Sequence, residues 1–282
     1  MKFGVNTMIW SGEYDSQVRS LLPLIKEKGF DGIEIPLFRL EGFNAAAVRR
    51  DTEALGLECN VTSAFLPGLS PISDDASIRA RAIAHLKGMI QATAEAGAKI
   101  LAGPMYSPVG YLPGRRRTAD EWKYAVDGLQ QLGDTLAANR VTLAVEPLNR
   151  FETYFLNTAA DAVQLCDQVS HPNIGILFDT FHANIEEKDI AAGIRTVRKH
   201  LRHMHTCEND RGIPGSGHVE WAAVFQALRD IRYDGYLTIE SFGFNIGDIS
   251  AAAAIWRDIE KTPDLIAFDG IEFLKANVVR GN

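Results

Sequence analysis

The sequence predicts an α/β fold, a closed (β/α)8 barrel formed by a single domain over residues 1–282. Apolar runs of strand length alternate strictly with helical patterns, which implies a parallel sheet. Eight such repeats follow one another, each of the roughly 30–40 residues that a strand, a helix and their loops require. The length of 282 residues suits such a barrel, which typically needs roughly 250. A doubly wound open sheet is the alternative, but no G-x-G-x-x-G follows the first strand.

Residues 2–9 (KFGVNTMI) read as the first strand, and 16–29 as an amphipathic helix closed by Gly29. GIEIPL (32–37) is the second strand, followed by a helix over 43–55 that stops at Gly56. LECNVTSA (57–64) is the third, with a long helical pattern over 75–96 and a stop at Gly97. KILAGPM (99–105) and a helix over 118–138 make the fourth repeat; strand five, 141–146, precedes a helix over 158–169. Strands six, seven and eight precede helices near 188–199, 219–230 and 248–260, and 263–280 reads as one more helix. No linker or low-complexity tract suggests a boundary.

Strand five carries the first chemical signal. In VTLAVEPLNRFE (141–152), Thr142, Ala144 and Glu146 share one face, and Val141, Leu143 and Val145 the other. A face of small residues ending in a carboxylate suits the inside of a narrow barrel, with the aliphatic face under helices. Pro147 cannot donate to a sheet ladder, so Glu146 ends the strand and Glu152 follows in the loop. The runs IGILFDTFH (174–182), LRHMHTCEN (201–209) and YLTIES (236–241) repeat the arrangement with Asp179, His205 and Glu240. Gly175, Leu177 and Asp179 share a face, as do His203 with His205 and Thr238 with Glu240. One strand-end Glu is as readily a salt-bridged structural residue. Four successive strands offering Glu, Asp, His and Glu to one mouth point to a site.

Composition narrows the function. A net charge of -7 argues against a nucleic-acid partner. Three widely spaced cysteines, Cys59, Cys166 and Cys207, suggest a reducing compartment. The start, MKFGVNTMIW, lacks the apolar core of a signal peptide and no run approaches a membrane span, so a soluble cytoplasmic protein is expected. Loops after barrel strands carry function. The fourth, SPVGYLPGRRRTADEW (107–122), holds Arg115, Arg116 and Arg117, read as a solvated helix approach or a subunit contact in preference to a phosphate grip. The seventh, CENDRGIPGSGH (207–218), is rich in glycine and carries Arg211 and His218, which either fasten the loop or serve the site.

Three carboxylates and one imidazole favour a hard or borderline divalent ion, Mn²⁺, Mg²⁺ or Co²⁺, over structural zinc. Six-coordination leaves two positions open, enough for a carbonyl and its neighbouring hydroxyl, and a Lewis acid there favours an enediolate. Glu146 and Glu240, from strands five and eight, suit proton transfer on opposite faces. His182 and Arg211 suit oxygens on which charge develops, although His182 is also placed to cap a helix. His203 reads as the buried, satisfied histidine and as the rival ligand to His205. Asn6 and Trp10 read as packing or substrate wall, and Trp10, Phe65 and Tyr106 as an apolar side of the pocket.

VEPLNRFE, FDTFH, HMHTCENDRGIPGSGHVEW and TIESF, with GPMYSPVGYLPGRRRTADEW in the fourth loop, resemble the motifs of the D-tagatose/D-psicose (allulose) 3-epimerase family. That family belongs to the sugar isomerase-like TIM barrels, and the resemblance spans nearly the whole chain. It implies metal ligands at Glu146, Asp179, His205 and Glu240, usually for manganese, with Glu146 and Glu240 exchanging the C3 proton of a free ketose. It implies contacts from Glu152, His182 and Arg211 to the ketose head, and a homodimer or homotetramer. Asn6, a further expected substrate-binding position, stands where some members carry a tyrosine. Asn60 stands near a cysteine or glycine of others. The preferred sugar, L-ribulose, D-psicose or D-tagatose, is therefore left open.

Four other functions compete with this reading. A metal-dependent DNA-repair endonuclease would want more histidines and a basic groove than seven His and -7 provide. A phosphosugar isomerase or epimerase would need the fourth or seventh loop to grip phosphate. An aldose–ketose isomerase would share the site but move the proton at C1. A sugar-binding barrel without turnover would not require paired acid–base carboxylates.

Overall fold

The structure is a computed structural model that describes residues 1–243 and 246–279. Eight parallel strands close on themselves in chain order: β1 Lys2–Asn6, β2 Gly32–Pro36, β3 Glu58–Thr62, β4 Ile100–Gly103, β5 Thr142–Val145, β6 Ile174–Asp179, β7 Leu201–His205 and β8 Tyr236–Ile239. The closing pair sets Lys2 opposite Tyr236 and Val5 opposite Ile239. The helices are α1 Ser16–Glu27, α2 Ala45–Leu55, α3 Ala76–Glu95, α4 Ala119–Gln130, α5 Gly133–Asn139, α6 Ala159–Val169, α7 Thr180–Glu186, α8 Ile190–Val197, α9 Trp221–Asp230, α10 Asp248–Ala252 and α11 Pro263–Val279.

Strand parity sorts the side chains as period-two alternation requires. Leu143 and Val145 of β5 join the shell between sheet and helices, whereas Ala102, Ala144 and Leu177 form a separate small cluster inside the barrel. The polar ends of the same inward faces therefore converge above that cluster. Gly103 ends β4 at φ 129°, and a Cβ there would meet the Ser63 carbonyl oxygen at 2.0 Å, so only glycine fits.

Helix starts follow local chemistry: Asp15, Asn44, Asp75, Thr158 and Asp189 each cap a first turn, and Thr118 with Glu121 forms a capping box on α4.

The structure revises four segments. The strand expected over 2–9 ends at Asn6, whose side chain accepts from Met8 N and opens a 3-10 turn at Thr7–Ile9. The helix expected over 118–138 divides at Gln131–Leu132. There Gly133 abuts the His171 ring, which a Cβ would meet at 2.9 Å. The run 174–182 leaves the sheet at Asp179, whose carboxylate caps α7, so His182 lies in a helix's first turn. The helix near 248–260 stops after Ala252, with Ala254 in the left-handed region at φ 55° and Trp256 exposed. The last helix runs from Pro263 to Val279; residue 280 of its expected span lies outside the described residues. None of the described helices is long and apolar enough to cross a membrane.

Candidate active site

Glu146, Asp179, His205 and Glu240, from the ends of β5 to β8, bring one ligand atom each to within 4.8 Å of one another, and all four are buried. His205 Nδ1 stands 3.3 Å from Glu240 Oε2 and 3.8 Å from Glu146 Oε1. Tyr106 donates its hydroxyl hydrogen to the Glu146 carbonyl at 2.8 Å and so braces the end of β5 from outside the cluster.

Such a cluster suits a cation. Glu146 Oε1 and His205 Nδ1 are buried without a hydrogen-bond partner among the described residues, and an ion among the four groups would satisfy both. Up to three negative charges here face one guanidinium, that of Arg211. Its Nη1 donates to Asp179 Oδ2 at 2.8 Å and to Glu240 Oε2 at 2.9 Å. Ion–ligand distances of roughly 2.0–2.6 Å are compatible with the 4.8 Å spread.

The two glutamates are pushed in opposite directions. Burial and the neighbouring Glu240 charge raise the Glu146 carboxyl well above the usual carboxylate range. Burial also opposes ionisation of Glu240, but the charge and hydrogen bond of His205, with the Arg211 charge, hold it low. Burial and Glu240 raise Asp179 against the pull of Arg211. His205 is raised well above an ordinary histidine, because Glu240 and Glu34 outweigh its burial. A bound cation would displace that proton.

His182 and Arg211 stand at the rim of the cluster. His182 Nε2 lies 3.6 Å from Glu146 Oε1 and 3.7 Å from Asp179 Oδ2. Burial, Arg211 and His205 keep the ring neutral, well below the usual histidine range. Arg211 is buried at φ 67°, stacked on Phe181 at 3.9 Å, and its carbonyl accepts from the Ser241 hydroxyl at 2.6 Å. Glu152 accepts from Asn149 Nδ2 at 2.8 Å; burial raises its carboxyl, with the Arg211 charge opposing.

Other expectations fare differently. Asn6 is fully buried beneath the cluster, its amide donating to Glu34 Oε1 at 2.8 Å and Glu240 Oε1 at 3.4 Å. Its amide therefore links Glu34 to the ligand candidate Glu240. Trp10 donates to Asp264 on α11, and Tyr106 lies wholly buried against Phe155, so neither is a plain apolar wall. His218 is exposed. Arg115 forms a two-bond pair with Glu121, and Arg117 one with Asp161, tying the fourth loop to α4 and α6.

Sequence reasoning missed three residues. Glu34, inward on β2, faces both His203 and His205; the parity of GIEIP carried that signal, since Gly32, Glu34 and Pro36 share a face. Asn149 joins Glu152 to His182. Glu208 accepts from Asn209 N, Gly215 N, Val219 N and Trp221 Nε1, folding the seventh loop around one buried carboxylate.

The whole arrangement has counterparts. Residues 22–277 match the family model described as a xylose isomerase-like TIM barrel. A probable ketose 3-epimerase of Synechocystis sp. is 36% identical over 275 residues, covering 98% of this chain and 96% of the relative. An L-ribulose 3-epimerase of Mesorhizobium japonicum is 32% identical, with 92% and 88% covered. The solved structure of a D-allulose 3-epimerase from Methylomonas sp. in complex with D-allulose superposes with a TM-score of 0.93 at 27% identity, covering 98% of this chain and 97% of that one. Near-complete coverage in sequence and in structure, over a barrel with acidic and histidine strand ends gathered at one mouth, leads to a single assignment: this chain belongs to the ketose 3-epimerase family of the xylose isomerase-like TIM barrels.

Proposed function

We propose that the chain is a metal-dependent isomerase that interconverts the C3 epimers of free ketoses through a cis-enediolate. The observation that carries this reading is the pair Glu146 and Glu240. Two carboxylates from β5 and β8 meet in one buried cluster whose other members are ion-binding groups.

Glu146, Asp179, His205 and Glu240 would hold a divalent ion, most simply Mn²⁺ with Co²⁺ or Mg²⁺ as alternatives, and the ion would supply Lewis-acid polarisation of the C2 carbonyl. Inversion at C3 requires a proton to leave one face of the carbon and another to arrive on the opposite face. Two fixed carboxylates on separate strands can do this without either one moving. Their proton affinities are pushed apart, which suits one as acid and the other as base. The two Asn149 donors on Nδ1 favour the neutral His182 tautomer with its proton on Nε2, over the longer Arg211 contact there, and that proton can be donated in a hydrogen bond to a developing oxyanion. Arg211 offers fixed positive charge to the same oxygens, and Glu152 accepts from a hydroxyl of the ketose head.

The substrate is an unphosphorylated ketose of the L-ribulose, D-psicose/D-fructose or D-tagatose type. Arg115 and Arg117 are already engaged by carboxylates, which leaves them poorly placed for phosphate. We also propose a cytoplasmic homodimer or homotetramer. The three cysteines are buried and free, as suits a reducing compartment. The exposed Tyr111, Leu112 and Phe151 lie on two loops joined by the Gly110 N–Glu152 O bond, and a second copy would cover them.

Turnover in D2O tests the reaction. Product formed in either direction should carry deuterium at C3 and none at C1. Glu146→Gln and Glu240→Gln should each abolish inversion, with metal content measured alongside. Deuterium at C1 with aldose formed would instead identify an aldose–ketose isomerase.

A further inference from the structure

Glu34 lies outside the four-residue cluster yet is hydrogen-bonded to one of its members. It rises from β2, and its fully buried carboxylate crosses the barrel interior to β7, three strands away around the ring. Oε1 accepts from His205 Nε2 at 2.8 Å and from Asn6 Nδ2 at 2.8 Å. Oε2 lies 2.6 Å from His203 Nε2, out of hydrogen-bond alignment.

Stability alone does not account for a carboxylate here. Barrel interiors are ordinarily packed with branched aliphatic side chains. A buried ion with its partners is seldom more stable than an apolar filling of the same volume. What the carboxylate does is discriminate between the two nitrogens of His205. A neutral imidazole carries one proton, and an acceptor at Nε2 keeps the proton on that atom. Nδ1 is then left with its lone pair, and it is Nδ1 that faces Glu146 and Glu240 without a hydrogen-bond partner. A ring turned over would replace Nδ1 by Cδ2 and Nε2 by Cε1, taking Nδ1 from Glu146 and Glu240 and losing the bond to Glu34.

We propose that Glu34 is the positioning residue that makes Nδ1 of His205 the ion-binding nitrogen. Asn6 completes the support, because its amide bonds both Glu34 and the neighbouring ligand Glu240. The inference rests on reading Glu146, Asp179, His205 and Glu240 as metal ligands.

Full-length protein stripped with chelator and titrated with Mn²⁺ alone, with free Mn²⁺ followed by its paramagnetic resonance signal, tests both readings separately. The wild type should bind one ion tightly, and Asp179→Asn should weaken that binding; if neither holds, the ligand assignment fails before Glu34 is examined. Given that binding, Glu34→Gln should raise the Mn²⁺ dissociation constant about 10–100-fold, the usual loss when an outer carboxylate on a metal-bound histidine is removed. His203→Asn, which disturbs the same buried interior but leaves the Glu34–His205 bond, should lower Tm and change the dissociation constant less than about threefold. Equal weakening in both variants would reduce Glu34 to a packing role and overturn the proposal. So would a folded Glu34→Gln protein with wild-type affinity. Should Glu34→Gln not fold, a crystal structure of the Mn²⁺-loaded wild type decides: Nδ1 of His205 on the ion supports the proposal, and Nε2 on the ion refutes it.

Discussion

The backbone N–H of Asn149 donates to Nδ1 of His182 at 3.1 Å. The Asn149 side-chain amide nitrogen also lies 2.9 Å from Nδ1, so two donors meet that atom, against one longer approach of Arg211 Nη2 to Nε2 at 3.3 Å; the balance favours the neutral tautomer with its proton on Nε2. The Asn149 side chain meanwhile reaches Glu152 Oε1 at 2.8 Å, so one loop residue sets two groups proposed to hold the ketose.

Removing that side chain should be costly. Asn149→Ala keeps the backbone bond to His182 but removes the side-chain contacts to both Glu152 and His182 Nδ1. It should lower kcat/KM about tenfold or more, equivalent to roughly 1.4 kcal/mol in the transition state. Steady-state kinetics on L-ribulose and D-psicose measure it, and unchanged values for both sugars would show that Glu152 needs no such support.

The two histidines of β7 should behave differently. His205→Asn should lose bound metal on gel filtration, measured by elemental analysis, because it removes one of the four converging groups. His203→Asn should retain metal but unfold at a lower temperature, since His203 is wholly buried beside Glu34. The reverse pattern would make His203 the ligand.

Arg116 is exposed between two paired arginines. Arg116→Ala should leave kcat/KM for a free ketose within about tenfold, a change below roughly 1.4 kcal/mol. A preference for ketose phosphates that disappears in this variant would favour the phosphosugar reading.

Glu121 should confer acid-sensitive stability. Burial opposes its charge, but Arg115, the Thr118 N–H and the Tyr154 hydroxyl outweigh it and hold the carboxyl down from 4.5 to about 2. A depressed folded-state value means the stabilisation is fully present above pH 4.5 and is lost as pH falls toward about 2. Thermal melts of wild type and Glu121→Gln should therefore differ most above pH 5 or so and converge in acid. A Tm difference that is constant with pH would assign the effect to packing.

Much of the site could be read along the chain because strand parity is local. Thr142, Ala144 and Glu146 fall on one face whatever the rest of the molecule does, and the same alternation aligned Asp179, His205 and Glu240. Strict strand–helix alternation likewise required a parallel sheet, and closure into eight strands followed from the number of repeats. Segment ends were less legible where one side chain decides: Asp179 both ends β6 and caps α7, and Gly133 yields to the His171 ring.

What only the tertiary structure decided depends on the barrel being closed. Glu34 and His205 are separated by 171 positions, and their 2.8 Å contact exists because β2 and β7 face each other across the interior. Parity alone does not name the partners of Asn6; Glu34 and Glu240, brought to β1 from either side, take its amide as a shared donor. Asn149 and His182 meet only because the loop after β5 lies over the first turn of α7. Period-two alternation determines which way a residue points, while ring closure determines what it meets there, and hydrogen bonds respond to the second.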